Sequence, residues 1–197
     1  MKWIPITAII CLVVAVSVVS ATGANAPIGV DTAKGKAQDF LNAPDATVQY
    51  QKTERLNLGE YYVFGTGDGQ VYVNARTGAV ERATFDSARK DCRDVRLDRA
   101  AAEATARAYA EEKYSGFAKK SMQLTRSNLV SHGDAGSEYS YIWREEISGV
   151  LTPNTVVVNL NPSTGEIVSY IGIQREIECP LEPKLSRDEA LKIAAGQ

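Results

Sequence analysis

The stretch from Tyr139 to Ile173 constrains the fold more than any other, because apolar residues recur there at every second position. A period of two places those side chains on one face of a strand, so that face is expected to be buried. The alternation falls in three successive runs, which contain Tyr139, Tyr141 and Trp143, then Val156, Val158 and Leu160, then Ile167, Ser169, Ile171 and Ile173. Turn-forming residues separate the runs at Ser148-Gly149 and at Asn161-Pro162-Ser163-Thr164-Gly165. The pattern predicts an antiparallel meander.

Composition excludes several classes of function. The chain has 197 residues, of which 44% are hydrophobic and 23% charged, enough for one or two modest cores. Its formal net charge of -2 offers no basic surface to neutralise phosphates, so nucleic acid is not expected as a partner. His132 is the sole histidine and no C-x-x-C spacing occurs, so we expect neither a metal site nor a cofactor.

Residues 1–26 have the layout of an export signal. Lys2 precedes an uncharged apolar run from Ile6 to Val19, and small residues follow as far as Ala26. Two interpretations remain open: cleavage between Ala21 and Ala26, or retention of the apolar run as an N-terminal membrane anchor. In both, the rest of the chain is expected to be secreted or extracytoplasmic, and contact with a membrane is expected only through an uncleaved N-terminal segment.

The cysteines agree with an oxidising compartment. Removal of the export signal leaves Cys92 and Cys179, an even number, which predicts a disulfide between them. The alternative is two buried thiols.

The sequence contains two copies of one pattern and the start of a third. Asn74 to Val80 matches Asn161 to Ile167 at an offset of 87 residues, and Tyr62-Val63-Phe64 matches Tyr141-Ile142-Trp143 at an offset of 79. Each copy reads as a helix followed by strands, with Asp31 or Thr32 predicted to cap the first helix and Asp98 the second. A third helix begins at Leu185-Ser186-Arg187-Asp188-Glu189, where Ser-x-x-Glu can form a capping box.

These patterns predict an α+β fold of two tandem modules, each a helix packed on an antiparallel β-meander, plus a C-terminal helix that begins a third unit. The expected organisation is a signal peptide or anchor in 1–26, a first module in 27–90, a linker in 91–97, a second module in 98–178, and a linker with the C-terminal helix in 179–197. The alternating charges of Asp86 to Arg99 predict that this connector is solvated.

The second copy resembles the PepSY family and the related YcdB/YcdC-type repeats. The resemblance rests on V-N-L-N-P-S-T-G-E-I-V-S-Y, preceded by Y-I-W-R and followed by L-S-R-D-E-A; it covers Asp98 to Ala195 and, more weakly, Thr32 to Phe85. It implies modules in which a helix lies over an antiparallel sheet. Such modules occur in peptidase propeptides, where they are thought to inhibit the enzyme, and in free-standing envelope proteins. This sequence departs from the propeptide case because no H-E-x-x-H appears in it, so inhibition of a peptidase domain in the same chain is not expected.

The candidate catalytic residues have simpler explanations. His132 lies in Ser131-His132-Gly133-Asp134, but adjacent residues in a turn seldom converge as a triad does, so an exposed loop histidine is expected. Glu145 and Glu146 are neighbours on a strand and should point to opposite faces, unlike a hydrolase pair. The glycine-rich segment 65–69 lacks the lysine and helix of a phosphate loop and is expected to be a turn. No catalytic residue is therefore predicted.

Two interpretations remain open for Tyr139, Tyr141 and Trp143, with Arg144 beside them. The rings could form the floor beneath the second helix, or a surface that grips an extended peptide or a glycan. The function expected from the sequence is non-enzymatic binding of another extracytoplasmic protein, either a peptidase that is inhibited or modulated or an envelope component. The alternative is a structural or adhesion repeat module of the cell envelope.

Overall fold

The computed structural model describes residues 26–44, 47–178 and 185–196. Within them the chain is α+β, as predicted, with three α-helices and an eight-stranded antiparallel sheet. The helices are α1 (Val30–Phe40), α2 (Arg99–Lys113) and α3 (Arg187–Ala195). The strands are β1 (Gln49–Leu56), β2 (Gly59–Gly65), β3 (Gly69–Asn74), β4 (Val80–Phe85), β5 (Met122–Ser131), β6 (Ser137–Ile147), β7 (Val150–Leu160) and β8 (Ile167–Ile173). Residues 1–25 of the predicted export signal lie outside the described residues, as does Cys179, one partner of the predicted disulfide.

Side chains cap the N-termini of two of the helices. The Asp98 carboxylate accepts hydrogen bonds from two backbone N–H groups at the start of α2, as predicted, and Ser186 and Glu189 form a complete capping box on α3. The prediction for α1 is wrong by two residues: Gly29 is its N-cap, and no side chain caps it. The preceding Ile28 N–H donates to the Ala75 carbonyl at 2.7 Å, which directs the chain into the helix earlier than Asp31.

Both long helices cover the same face of the sheet. Their contact stripes are made of alanines with no exposed surface, which lets the helix backbone approach the strands closely; these are Ala33 and Ala37 in α1 and Ala102, Ala106 and Ala110 in α2. Helix α1 packs on β1 to β4, and α2 packs on β6 and β7. The other face of the sheet carries neither of these helices. Among the described residues, no helix is both long and apolar enough to cross a membrane.

The strand order is β1-β2-β3-β4-β8-β7-β6-β5. The pairing of β3 with β4 recurs in that of β7 with β8, 87 positions later: Val71 pairs with Ala83, and Val158 pairs with Tyr170. The register shift in each of these hairpins also lies at the equivalent place. The strands of the two predicted modules thus form one continuous sheet, and the module boundaries themselves stay a prediction.

Strands β4 and β8 pair about an approximate two-fold axis. Ala83 lies opposite Tyr170, while Arg82 lies opposite Ile171 and Thr84 opposite Ser169. Positions 83 and 170 are 87 apart, which is the offset that relates the two copies. Exchanging the copies therefore turns the pair Arg82–Ile171 into the pair Thr84–Ser169. The sheet therefore consists of two halves, β1–β4 and β5–β8, joined through their last strands, and β1 and β5 are left as its edges.

The charged side chains of the connector between the halves are exposed, as their pattern predicted, but its backbone is held by the second half. The Asn161 side-chain amide donates to the carbonyls of Ala88 and Lys90, at 2.9 Å and 2.7 Å. The N–H groups of Arg96 and Leu97 both donate to the Pro162 carbonyl. The connector backbone is thus bound to the β7–β8 turn, although most of its charged side chains remain exposed.

Candidate functional site

The aromatic residues of the predicted partner surface lie in the core. Tyr139, Tyr141 and Trp143 are 6%, 0% and 1% exposed, because α2 packs over this face of β6 and β7. The Tyr139 and Tyr141 hydroxyls donate to the carbonyls of Leu97 and Arg99, at 3.0 Å and 2.9 Å. This placement corrects the interpretation of the rings as a partner surface: in this structure they are the floor beneath α2.

Arg144, the fourth residue of that predicted surface, lies on the opposite face. It pairs with Thr155 in the register of β6 with β7 and is partly exposed. The rings and the guanidinium therefore do not form one site. Burial, with the nearby Glu103 carboxylate, raises the pKa of Tyr141 to about 12, so its hydroxyl stays protonated at neutral pH and serves as a hydrogen-bond donor.

The structure does not assemble a catalytic centre around His132. Its side chain is 45% exposed, and its Nε2 lies 3.2 Å from a carboxylate oxygen of Glu138. The Ser131 hydroxyl instead accepts a hydrogen bond from the Gly133 N–H at 3.4 Å. Among the described residues, no cluster of three or more His, Cys, Asp or Glu side chains is arranged to hold a metal ion.

Glu145 is a buried structural carboxylate. It accepts hydrogen bonds from the Asn154 amide at 2.6 Å and from the Lys120 ammonium at 2.9 Å. Burial pushes the pKa of Glu145 upward, but the donors Asn154 and Lys120 outweigh it and hold the pKa below its ordinary value. The carboxylate is therefore a charged anchor of the fold.

A second buried carboxylate, Glu81 in β4, was not predicted from the sequence. It is 2% exposed and accepts hydrogen bonds from the Tyr61 hydroxyl at 2.6 Å and the Asn74 amide at 3.0 Å. Arg175, which follows β8, donates to both of its oxygens, at 2.6 Å and 2.8 Å. Burial and the hydrogen bond to Glu81 raise the pKa of Tyr61 to about 12.

Arg175 joins the two halves of the sheet. Its backbone N–H donates to the Asn154 side-chain oxygen at 2.6 Å, and its guanidinium reaches Glu81 in the first half. The only sequence signal for this network was a polar residue, Asn154, in a strand otherwise rich in valine. Nothing local to Glu81 identifies a partner 94 residues away.

The two edges of the sheet differ in how they are protected against other strands. An edge strand presents unpaired N–H and C=O groups, and natural proteins discourage pairing there with charged side chains. Strand β1 has Lys52, Glu54 and Arg55 among eight residues, and the Lys52 ammonium lies 3.0 Å from the Glu54 carboxylate. Strand β5 has Arg126 as its single charge among ten residues.

Both edge strands are largely exposed, and each presents apolar side chains, which on β1 are Tyr50 and Leu56. Helix α2 packs mainly on β6 and β7 and reaches β5 through the Arg99 side chain, which donates to the Ser127 hydroxyl at 3.1 Å. Leu124 and Leu129 are 37% and 46% exposed, and they pair with Trp143 and Tyr139, which face α2. The edge therefore offers a long run of backbone groups flanked by two solvent-exposed leucines. Its position at the edge could not be read from the sequence, because strand order depends on the β4–β8 pairing.

Comparison with known proteins identifies the fold. No family model matches the chain, and no curated protein matches it. Among solved structures, the Bacillus megaterium YpeB C-terminal domain is similar, with a TM-score of 0.57 and 16% sequence identity over 85% of this chain and 74% of that one. The two chains share a fold. At this identity the similarity shows the shared fold alone.

Proposed function

We propose that this chain is an exported, non-enzymatic protein of two tandem PepSY-like modules that binds another extracytoplasmic protein. Binding takes place by addition of a strand of that partner to the β5 edge. The observation that carries the proposal is the difference between the edges: β1 is protected by three charged side chains, whereas β5 presents ten residues with one charge.

The turns that follow β3 and β7 support the tandem modules. The Asn74 side-chain oxygen accepts from the N–H groups of the two residues at positions 76 and 77, and the Asn161 oxygen accepts from those at 163 and 164. The N–H of Gly78 donates to the backbone carbonyl of Asn74, and the N–H of Gly165 donates to the backbone carbonyl of Asn161, each at 2.9 Å. Both glycines have positive φ, which the turn requires.

The residue before each helix N-cap supports the same duplication. The Tyr62 hydroxyl donates to the carbonyl of Ile28 at 2.9 Å, and the Tyr139 hydroxyl donates to that of Leu97 at 3.0 Å. The equivalent of Tyr62 is therefore Tyr139, at an offset of 77, and not Tyr141 as the sequence match predicted. The offset between the copies rises from 69 at Ile28 and Leu97 to 77 at Tyr62 and Tyr139 and to 87 at Val71 and Val158, so eight extra residues precede Tyr139 and ten lie in the β6–β7 hairpin.

The most concrete form of the proposal is a modulator of a secreted peptidase. An extended strand bound at an edge uses main-chain hydrogen bonds for affinity, and a module docked in this way blocks part of its partner's surface without covalent chemistry. The PepSY resemblance supports this form over a general scaffold. A structural or adhesion module of the cell envelope remains the second candidate, which the repetition and the start of a third unit in α3 support.

A transplant between the edges tests the proposal. The variant Ser127→Lys with Leu129→Glu gives β5 the charge spacing of Lys52 and Glu54. Exported wild type should retain a partner from its own culture supernatant, and this variant should lose it, with unchanged circular dichroism and urea midpoint. The matched variant Lys52→Ser with Glu54→Leu should retain the partner.

If the charged β5 edge retains the partner as well as wild type does, β5 is not the binding site. A recovered peptidase whose activity falls on addition of the chain favours the modulator. Binding to purified cell envelope without effect on any peptidase favours the structural module.

A further inference from the structure

We infer that the strand accepted by β5 is acidic at its centre and apolar at its ends. This inference deepens the proposed function and rests on it. The chemistry follows from the side chains that border the edge on each face of the sheet.

Two arginines border the middle of β5, one on each face. The Arg99 guanidinium reaches across from α2 and donates to the Ser127 hydroxyl at 3.1 Å. Arg126 pairs with Ile142, whose side chain lies on the face that the helices leave open. Both arginines are exposed, and within the described residues neither lies within ion-pair distance of a carboxylate.

Two leucines border the ends of the same edge. Leu129 and Leu124 lie on the helix-covered side of the sheet, because they pair with Tyr139 and Trp143. Ser127 lies between them on that side, opposite Tyr141. The register shift between Leu124 and Arg126 keeps all three on one side although their spacing is uneven.

An antiparallel strand added to this edge would meet these side chains in a defined order. Its first residue lies opposite Leu129 and its last opposite Leu124, and both positions favour apolar side chains. The residue opposite Ser127 meets Arg99, and the next meets Arg126, so both favour carboxylates. The expected pattern is apolar, any residue, acidic, acidic, apolar.

The charges give selectivity more than affinity. Exposed ion pairs contribute little each, so two carboxylates together should favour an acidic strand over a basic one by about tenfold at low salt. The Debye length shortens as salt is added, so the preference should shrink at high salt. The β1 edge should distinguish the two strands less well, because Lys52 already pairs with Glu54 and only Arg55 is left for an added carboxylate.

Two synthetic peptides test the inference by fluorescence anisotropy. One is Thr-Val-Thr-Glu-Glu-Val-Thr and the other is Thr-Val-Thr-Lys-Lys-Val-Thr, each blocked at both ends and labelled. The acidic peptide should bind the mature chain about tenfold more tightly at low salt. The variant Arg99→Glu with Arg126→Glu should reverse the preference, and the control Arg55→Glu on β1 should leave it unchanged.

Each other outcome is decisive. Equal binding of both peptides, lost in the Ser127→Lys, Leu129→Glu variant, would retain strand addition and overturn the acidic preference. Binding of the acidic peptide that the double charge reversal does not change would place it elsewhere and overturn the inference. Failure of both peptides to bind also overturns it, while recovery of a partner through β5 would still support the proposed function.

Discussion

Exchanging two residues of β8 for their counterparts in β4 tests the internal two-fold relation at its axis. On the helix-covered face, β4 has Ala83 and Phe85, and β8 has Tyr170 and Gly172 at the positions 87 residues later. A Cβ atom added to Gly172 would lie 2.1 Å from the Tyr170 hydroxyl oxygen, so the ring occupies the space above the glycine. Each strand therefore uses one large and one small residue, in opposite order.

The magnitudes follow from the packing of Tyr170. Its ring is 1% exposed and lies 5.3 Å from the Phe40 ring and 5.9 Å from the Tyr109 ring. Tyr170→Ala should lower the free energy of unfolding by about 4 kcal/mol, as truncation of a buried aromatic ring does. Gly172→Phe alone has to displace that ring and should cost about 3 kcal/mol. The double variant restores the filled volume, so its loss should be about 3 kcal/mol smaller than the sum.

Urea unfolding, followed by circular dichroism and tryptophan fluorescence, measures these free energies. The control combines Tyr170→Ala with Ile171→Phe, which places a ring on the face without α1 and α2, where it cannot refill the cavity. That control should show no rescue. Losses that simply add in the Tyr170→Ala, Gly172→Phe variant would refute the reasoning that the two halves pack equivalently about the axis.

Three further predictions concern charges and caps. Arg175→Met should cost about 3 kcal/mol in urea unfolding because it leaves the buried Glu81 carboxylate without its cation, and adding Glu81→Met should recover part of the loss; no recovery would contradict the pairing. The folded-state pKa of Glu145 is lowered, so its contribution is present above the ordinary pKa near 4.5 and is lost as the pH falls through the folded value. In Glu145→Gln the free energy of unfolding should therefore fall less steeply with decreasing pH below that value. An unchanged slope would show that the Glu145 carboxylate does not stabilise the fold. Asp98→Ala should lower stability by about 1 kcal/mol through loss of the α2 cap, with Asp98→Asn as the milder control.

The parts of the fold that the sequence predicts well are those governed by neighbouring residues. Asp98 starts α2 and the Ser186 capping box starts α3 because each cap needs only the next three residues. The turns at Asn74 and Asn161 follow from a side-chain oxygen that bonds two nearby N–H groups. Alternation likewise predicts a buried face for β6 to β8.

The parts that the sequence left open or did not predict depend on distant contacts. Alternation states that Tyr141 and Trp143 share a face, but α2, which covers that face, comes from an earlier segment. The connector has solvated charged side chains as predicted, but its backbone is bound, because Asn161, more than 70 residues later in the chain, donates to the carbonyls of Ala88 and Lys90. A charge pattern reports which side chains are solvated and says little about where the backbone is held.

The position of the candidate site also depends on a distant contact, the pairing of β4 with β8, and that pairing explains why β5 is an edge. Because β4 and β8 pair about a two-fold axis, the first strand of each half becomes an edge. If the halves arose by duplication, both edges began with the same need for protection against other strands. Strand β1 meets that need with Lys52, Glu54 and Arg55. Strand β5 is longer and has Arg126 as its one charged residue, although each of the two strands exposes two large apolar side chains. A free edge without protection invites aggregation unless a partner covers it, so the asymmetry is explained if β5 is the edge that a partner strand occupies.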